Sequence, residues 1–210
     1  MFHKSLPVFA SVVFILFSLQ ACGPVGVVMG AGAATGVAAY QERGVDGVAR
    51  DLKISSLVFD QFARANHILL KEVGVEVYEG RVLLTGQVET ESLRAEAVRL
   101  AWTASGTKDV INEIHVTQDS NFLDTARDTW ITAQLEAKLT FDEKVLAINY
   151  TIETVGGTVY LMGIAQNQDE LDRVKNQAKS IAYVRYIISH VRIKDPQPQP
   201  AHPVETQGGL

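Results

Sequence analysis

The sequence predicts an α+β fold built twice, as two tandem α-β-β-α-β domains with helices packed on one face of a small three-stranded sheet. Three observations predict it. First, the middle of the chain repeats at a fixed offset of 77 residues. Asp51 aligns with Asp128, Ile54 with Ile131, Val58 with Leu135 and Phe62 with Leu139; without a gap, Glu76 then aligns with Glu153, Val82 with Val159 and Leu84 with Leu161. Second, apolar residues in each copy recur every four positions and later every two, the periods of an amphipathic helix and a half-buried strand. Third, a glycine punctuates the two strands of each copy at the same place, Gly80 in one and Gly157 in the other.

The elements follow in order. Lys4 supplies a positive start, and Leu6 to Leu19 (LPVFASVVFILFSL) is an apolar run too short to span a bilayer as a helix. Residues 1–21 therefore read as a signal peptide. Leu19-Gln20-Ala21-Cys22 closes it, and Cys22 is the single cysteine of the chain. Residues 22–45 are a Gly/Ala-rich tether, with Gly26/Gly30 and Gly32/Gly36 at the spacing of small residues on packed membrane helices. Its glycines weaken any helix, so a tether at the membrane surface is expected before a true span.

The first domain occupies 46–119 and the second 124–195. In the first, Ile54, Val58 and Phe62 mark a helix, and Val73-Gly-Val-Glu-Val77 alternates as a strand. Glu79-Gly80 turns, and Arg81 to Val88 returns as the second strand of a hairpin. Glu89 to Ala104 is a helix opened by acidic residues and lined by Leu93, Ala97, Leu100 and Ala101. Val110 to Val116 closes the sheet. Gly80 and Gly157 are expected to take positive φ in the turns, and Gly86 and Gly163 to let a helix approach the strand closely. Residues 196–210, with proline at every second position at first and almost nothing apolar, are expected to be disordered.

These motifs resemble known ones. The short h-region ending at Ala21-Cys22 resembles the lipobox of bacterial lipoproteins, which implies that Cys22 is acylated and becomes the first mature residue. The alternative is an ordinary signal peptide whose removal leaves an unpaired thiol. Gly23 after the cysteine resembles the sorting signal for the outer membrane. Val82-Leu83-Leu84-Thr85-Gly86 and Val159-Tyr160-Leu161-Met162-Gly163, framed by Gly80 and Gly157, resemble the BON domain of bacterial osmotic-shock and nodulation proteins. Two such units behind a lipobox are similar to the dual-BON outer-membrane lipoproteins. That resemblance implies a lipid-anchored protein on the periplasmic side, envelope integrity and binding of phospholipid. One departure is visible. The glycine usual before the last strand is Gly106 in the first copy, but Tyr183 stands at the matched place in the second.

Chemistry is sparse. His3, His67, His115, His190 and His202 stand in no metal-ligand spacing, and His115 and His190 read as solvent-facing strand residues. No nucleophile-and-base constellation and no phosphate-binding loop is present, so no enzyme, cofactor or metal is expected. A net charge of −5 without a basic run argues against nucleic acid as a partner.

The informative contrast lies between the copies. Beside the shared core stripe, the second copy's first helix carries Trp130, Ala137 and Phe141 on an adjacent strip, where the first copy has Lys53, Asp60 and Arg64. Trp prefers the headgroup level of a membrane. Residues 51–119 hold seven basic and eleven acidic residues, whereas 128–195 hold eight and nine, and Lys138 and Lys144 flank the strip. A phospholipid-binding face of Trp130, Phe141, Ala137, Lys138 and Lys144, favouring anionic lipid, is the expectation. The alternatives are an envelope scaffold whose aromatic strip docks a protein partner, or rings packed between the two domains or against the second helix of their own domain.

Overall fold

The computed structural model describes residues 38–117 and 122–194; Cys22, the tether glycines Gly26 to Gly36 and the tail lie outside the described residues. Each copy opens with a long helix whose four-residue stripe is buried. These are α1 (Gly44–Ala65), through Ile54, Val58 and Phe62, and, after α2, β1, β2, α3, β3 and β4, the helix α4 (Phe122–Thr140), through Ile131, Leu135 and Leu139. In the first copy α2 (His67–Glu72) follows, with the Asn66 side chain accepting from the Ile68 N–H at 3.0 Å. In the second a single 3-10 turn, Ala147–Asn149, takes its place. Neither is foretold by periodicity, because six and three residues are too few to display a period.

The hairpins come next. β1 (Val73–Tyr78) pairs antiparallel with β2 (Arg81–Val88), and β5 (Tyr150–Val155) with β6 (Thr158–Ala165). Glu79-Gly80 (φ 55°, 79°) and Gly156-Gly157 (φ 58°, 76°) join them as two-residue loops with both residues left-handed, the turn whose twist suits a hairpin. A carboxylate from the long helix holds each loop. Asp51 accepts the N–H groups of Glu79 and Gly80, both at 2.8 Å, and Asp128 those of Gly156 (2.6 Å) and Gly157 (2.8 Å). The aligned aspartates thus tie helix to turn in both copies.

Helices α3 (Glu91–Thr103) and α5 (Gln168–Lys179) start at Thr90 and Asn167, whose side chains accept from the N–H groups of Leu93 and Glu170. Each returns the chain to a strand parallel to the hairpin's second strand. In the second copy this is the unbroken β7 (Tyr186–Ile193). In the first, the strand expected over 110–116 is split into β3 (Asp109–Asn112) and β4 (His115–Val116), both on β2. The Asn112 side chain accepts from the Ile114 N–H at 3.2 Å and interrupts the ladder there.

Gly86 and Gly163 do meet a close approach, from the last residue of α2 in the first copy and of the 3-10 turn in the second. A Cβ at Gly86 would land on the Glu72 carbonyl, and one at Gly163 on that of Asn149, the last residue before the facing strand in each copy. The approaching group is the main-chain carbonyl at the end of that short helix, where the chain enters the hairpin, and not a packed helix face. Both glycines also sit at positive φ, 114° and 136°.

The two copies stand back to back. One apolar core lies between the helices and sheet of the first copy and another between those of the second. A third, of Tyr78, Leu83, Tyr160, Met162 and Ile164, lies where the outer faces of the two sheets meet. The order of layers is helices, sheet, sheet, helices. The seam has a polar rim. Arg81 donates to the His190 carbonyl (2.9 Å), His190 Nε2 meets Glu113 (2.8 Å), His115 Nε2 meets the Tyr160 hydroxyl (2.8 Å) and Arg192 donates to Glu79 (2.5 Å). His115 and His190 both reach across to the other copy; His115 remains exposed to solvent, whereas His190 is partly buried in the seam.

The segment ahead of α1 is also part of the folded body, although its composition reads as tether up to residue 45. Ala38 is buried, and Glu42 clasps the second copy. Its N–H donates to Asn149 Oδ1 (2.9 Å), and its carboxylate accepts from Gln166 (2.8 Å) and Lys194 (3.0 Å).

Candidate functional site

The outer surface of α4 is where the copies diverge. Trp130 is 45% exposed and Phe141 is 86% exposed, and Ala137, Lys138 and Lys144 are exposed as well. Trp130, Ala137 and Phe141 follow the helical spacing along one strip, adjoining the buried Ile131-Leu135-Leu139 stripe. Eleven residues at a rise of about 1.5 Å put the two rings about 17 Å apart along the helix. Neither ring belongs to the seam, which is built from strand residues, so the alternative of rings buried between the domains does not hold.

The loop after α4 is fixed. Asp142 accepts from Arg173 Nε (2.5 Å) and from the Gln177 side chain, and it receives the Lys144 N–H at 3.1 Å. The Arg173 hydrogen bond, foremost, holds the Asp142 carboxyl below the usual carboxylate range. Glu170, buried at the start of α5, accepts the N–H groups of Leu146 (2.9 Å) and Gln166 (2.7 Å). Phe141, Lys144 and the half-exposed Leu146 are thus presented on a pinned corner.

Near the middle of α4 lies a group that periodicity alone did not find. The Tyr183 ring, 63% exposed, meets the Trp130 ring edge to face, with centroids 6.2 Å apart and planes at 72°. The Arg127 guanidinium lies over the same tyrosine ring, 4.9 Å from its centroid. Tyr183 has φ 71°, at the corner where Gly106 of the first copy has φ 102°. The signal was present in the repeat as the one glycine position filled by tyrosine.

Among the described residues, no group of three His, Cys, Asp or Glu is disposed to hold a metal ion. No helix there is long and apolar enough to cross a membrane. Two carboxyls inside the seam are strongly perturbed. Burial, then the nearby Glu153, pushes the Glu76 carboxyl up to about 7, and burial, then Asp128, does the same to Glu153.

Comparison with known proteins agrees with the duplication. The family model "BON domain" matches residues 50–118 and again 127–195. An uncharacterized protein in gshII 5'region of Anaplasma centrale is 42% identical over 151 residues, covering 71% of this chain and 96% of that protein. Outer membrane lipoprotein DolP of Haemophilus influenzae is 30% identical over 118 residues, 56% of this chain and 61% of that protein. Osmotically-inducible protein Y of Escherichia coli is 27% identical over 146 residues, 69% of this chain and 73% of that protein. With two matched units inside a helix-sheet-sheet-helix body, the chain belongs to the BON-domain family, as a protein of two BON domains.

Proposed function

We propose that this protein is a non-enzymatic, phospholipid-binding lipoprotein of the outer membrane. On this reading it is held by acylated Cys22 on the periplasmic side and engages anionic lipid through its second BON domain, in support of envelope integrity. The single observation that carries the reading is the strip of exposed rings along α4 and its C-terminal corner, Trp130 and Phe141, flanked by Lys138 and Lys144. An exposed indole in water leaves a large apolar surface unburied, whereas at headgroup level its ring is buried and its N–H stays wet. Each lysine near an anionic surface adds about 1 kcal/mol. The matched strip of the first domain carries Lys53, Asp60 and Arg64, so the fold itself does not require rings there. The likeness to an outer membrane lipoprotein supports the location.

Flotation with liposomes tests the reading. Protein lacking residues 1–37 suffices, because all three apolar clusters lie within 38–194. Trp130→Glu is expected to lose binding to anionic liposomes with circular dichroism and melting nearly unchanged, while Lys53→Glu keeps it. A folded Trp130→Glu protein that floats like wild type overturns the lipid face and leaves the strip to a protein partner.

A further inference from the structure

We infer that Tyr183 is a membrane-contacting residue. With Trp130 and Arg127 it forms a compact site for the phosphodiester headgroup of a glycerophospholipid at the corner between α4 and β7. The inference rests on the lipid reading above and adds to it the residues that meet the headgroup.

Four observations converge on the corner. Both copies need a left-handed residue before their last strand, and the first copy uses Gly106, for which that conformation is nearly free. The second copy uses a tyrosine at φ 71°, a conformation that costs any residue with a Cβ free energy and is kept where something compensates. Core packing is not the compensation, since the ring is 63% exposed. What the ring does touch is Trp130 on one side and the Arg127 guanidinium on its face. Two amphipathic rings, each an apolar body with a polar tip, are thereby held together at the surface beside a cation.

That chemistry fits the boundary of a bilayer. Rings of Trp and Tyr settle at headgroup level, and a guanidinium suits phosphate oxygens through its planar set of N–H donors. A surface that only docked an apolar protein groove would gain nothing from the cation. Reach is sufficient too. Cys22 and Ala38 are sixteen chain steps apart, and at no more than about 3.5 Å each these allow up to about 55 Å between an acylated Cys22 and the folded body. Trp130 with Tyr183 near the middle of α4, and Phe141 with Lys138 and Lys144 at its C-terminal corner, then give two points of contact on one surface.

The test uses protein lacking residues 1–37 and vesicles of phosphatidylcholine with or without phosphatidylglycerol. Tyr183→Gly installs the first copy's own residue. Its melting temperature is expected to equal or exceed that of wild type, while affinity for phosphatidylglycerol vesicles falls at least tenfold. Tyr183→Asn, which tolerates the left-handed region but has no ring, should behave alike. Arg127→Gln should reduce the preference for phosphatidylglycerol over phosphatidylcholine more than it reduces binding to phosphatidylcholine. If Tyr183→Gly and Tyr183→Asn bind within twofold of wild type while Trp130→Glu does not, Tyr183 is no part of the site and the lipid reading stands. If Trp130→Glu also binds normally, the lipid reading itself falls. If both Tyr183 variants melt well below wild type, the tyrosine serves the fold and the inference is overturned.

Discussion

At the scale of single residues, the repeat separates what the fold demands from what one copy has added. Gly163 belongs to the first kind. Its positive φ and the Asn149 carbonyl against its α-carbon leave no room for a side chain, and the strained backbone adds to the overpacking. Gly163→Val is expected to lose at least about 3 kcal/mol, at the upper end of the range for overpacking, read as a fall in the urea midpoint. Gly86→Val should do the same in the first domain. Unchanged midpoints in both would mean the hairpin can shift to accept a Cβ. Cys22 belongs to neither class, since it lies outside the described residues and outside both repeated units. Cys22→Ser is expected to release the protein from the membrane fraction without altering its melting temperature, because the acyl chains contribute about 0.8 kcal/mol per buried CH₂. Recovery of the variant in the outer membrane would show that the tether inserts unaided.

At the scale of elements, the tie between each long helix and its hairpin loop sets the register of the unit. Asp128 is buried and accepts two main-chain N–H groups, as Asp51 does in the other copy. Hydrogen bonds to a charged group are worth about 1.5–3 kcal/mol each, and a buried N–H left without a partner is costly. Asp128→Ala should therefore destabilise the second domain by roughly 3 kcal/mol in denaturant unfolding, and Asp128→Asn by less, since it keeps one acceptor. Equal stability of all three proteins would show that the loop holds itself. Much of this was legible in advance. The helix stripes, the hairpin, the crossover helix and the aligned aspartates all follow from residues whose partners are near in sequence or matched by the offset. The split of β3 from β4 was not, because it turns on one Asn112 side chain competing with the ladder. The strip Trp130-Ala137-Phe141 was legible as spacing, whereas the ring contact of Tyr183 with Trp130 joins residues 53 apart in the chain and has no local signature.

At the scale of the whole molecule, the feature least visible in the sequence is the seam, though it left a trace. β6 is buried at every position, and its run VYLMGIA is apolar on both faces, which is how a strand covered on two sides reads. The seam also carries acids that do not belong in an apolar layer. Glu76 and Glu153, each raised to about 7, are faced by Glu136 from α4, by Asp128 and by Arg43, and among these Arg43 pulls Glu76 back down. A carboxyl whose folded pKa is raised binds its proton more tightly in the folded state. Stability is then highest below about pH 4.5 as far as these groups go, and it falls as pH rises toward and through 7. A tenfold difference in proton affinity between the folded and unfolded chain corresponds to about 1.4 kcal/mol. The double variant Glu76→Gln, Glu153→Gln is expected to melt several degrees above wild type at about pH 8 and level with it near pH 4, where the native carboxyls hold their protons. The same offset at both pH values would mean that water reaches the pair. The layer order has a consequence for number. Solenoids lengthen because each unit offers its neighbour two sticky faces. Here each sheet has one face on its own helices and has spent the other on its twin, so a third copy would find only helix backs to meet. The array closes at two, like a sandwich with both slices of bread already in place.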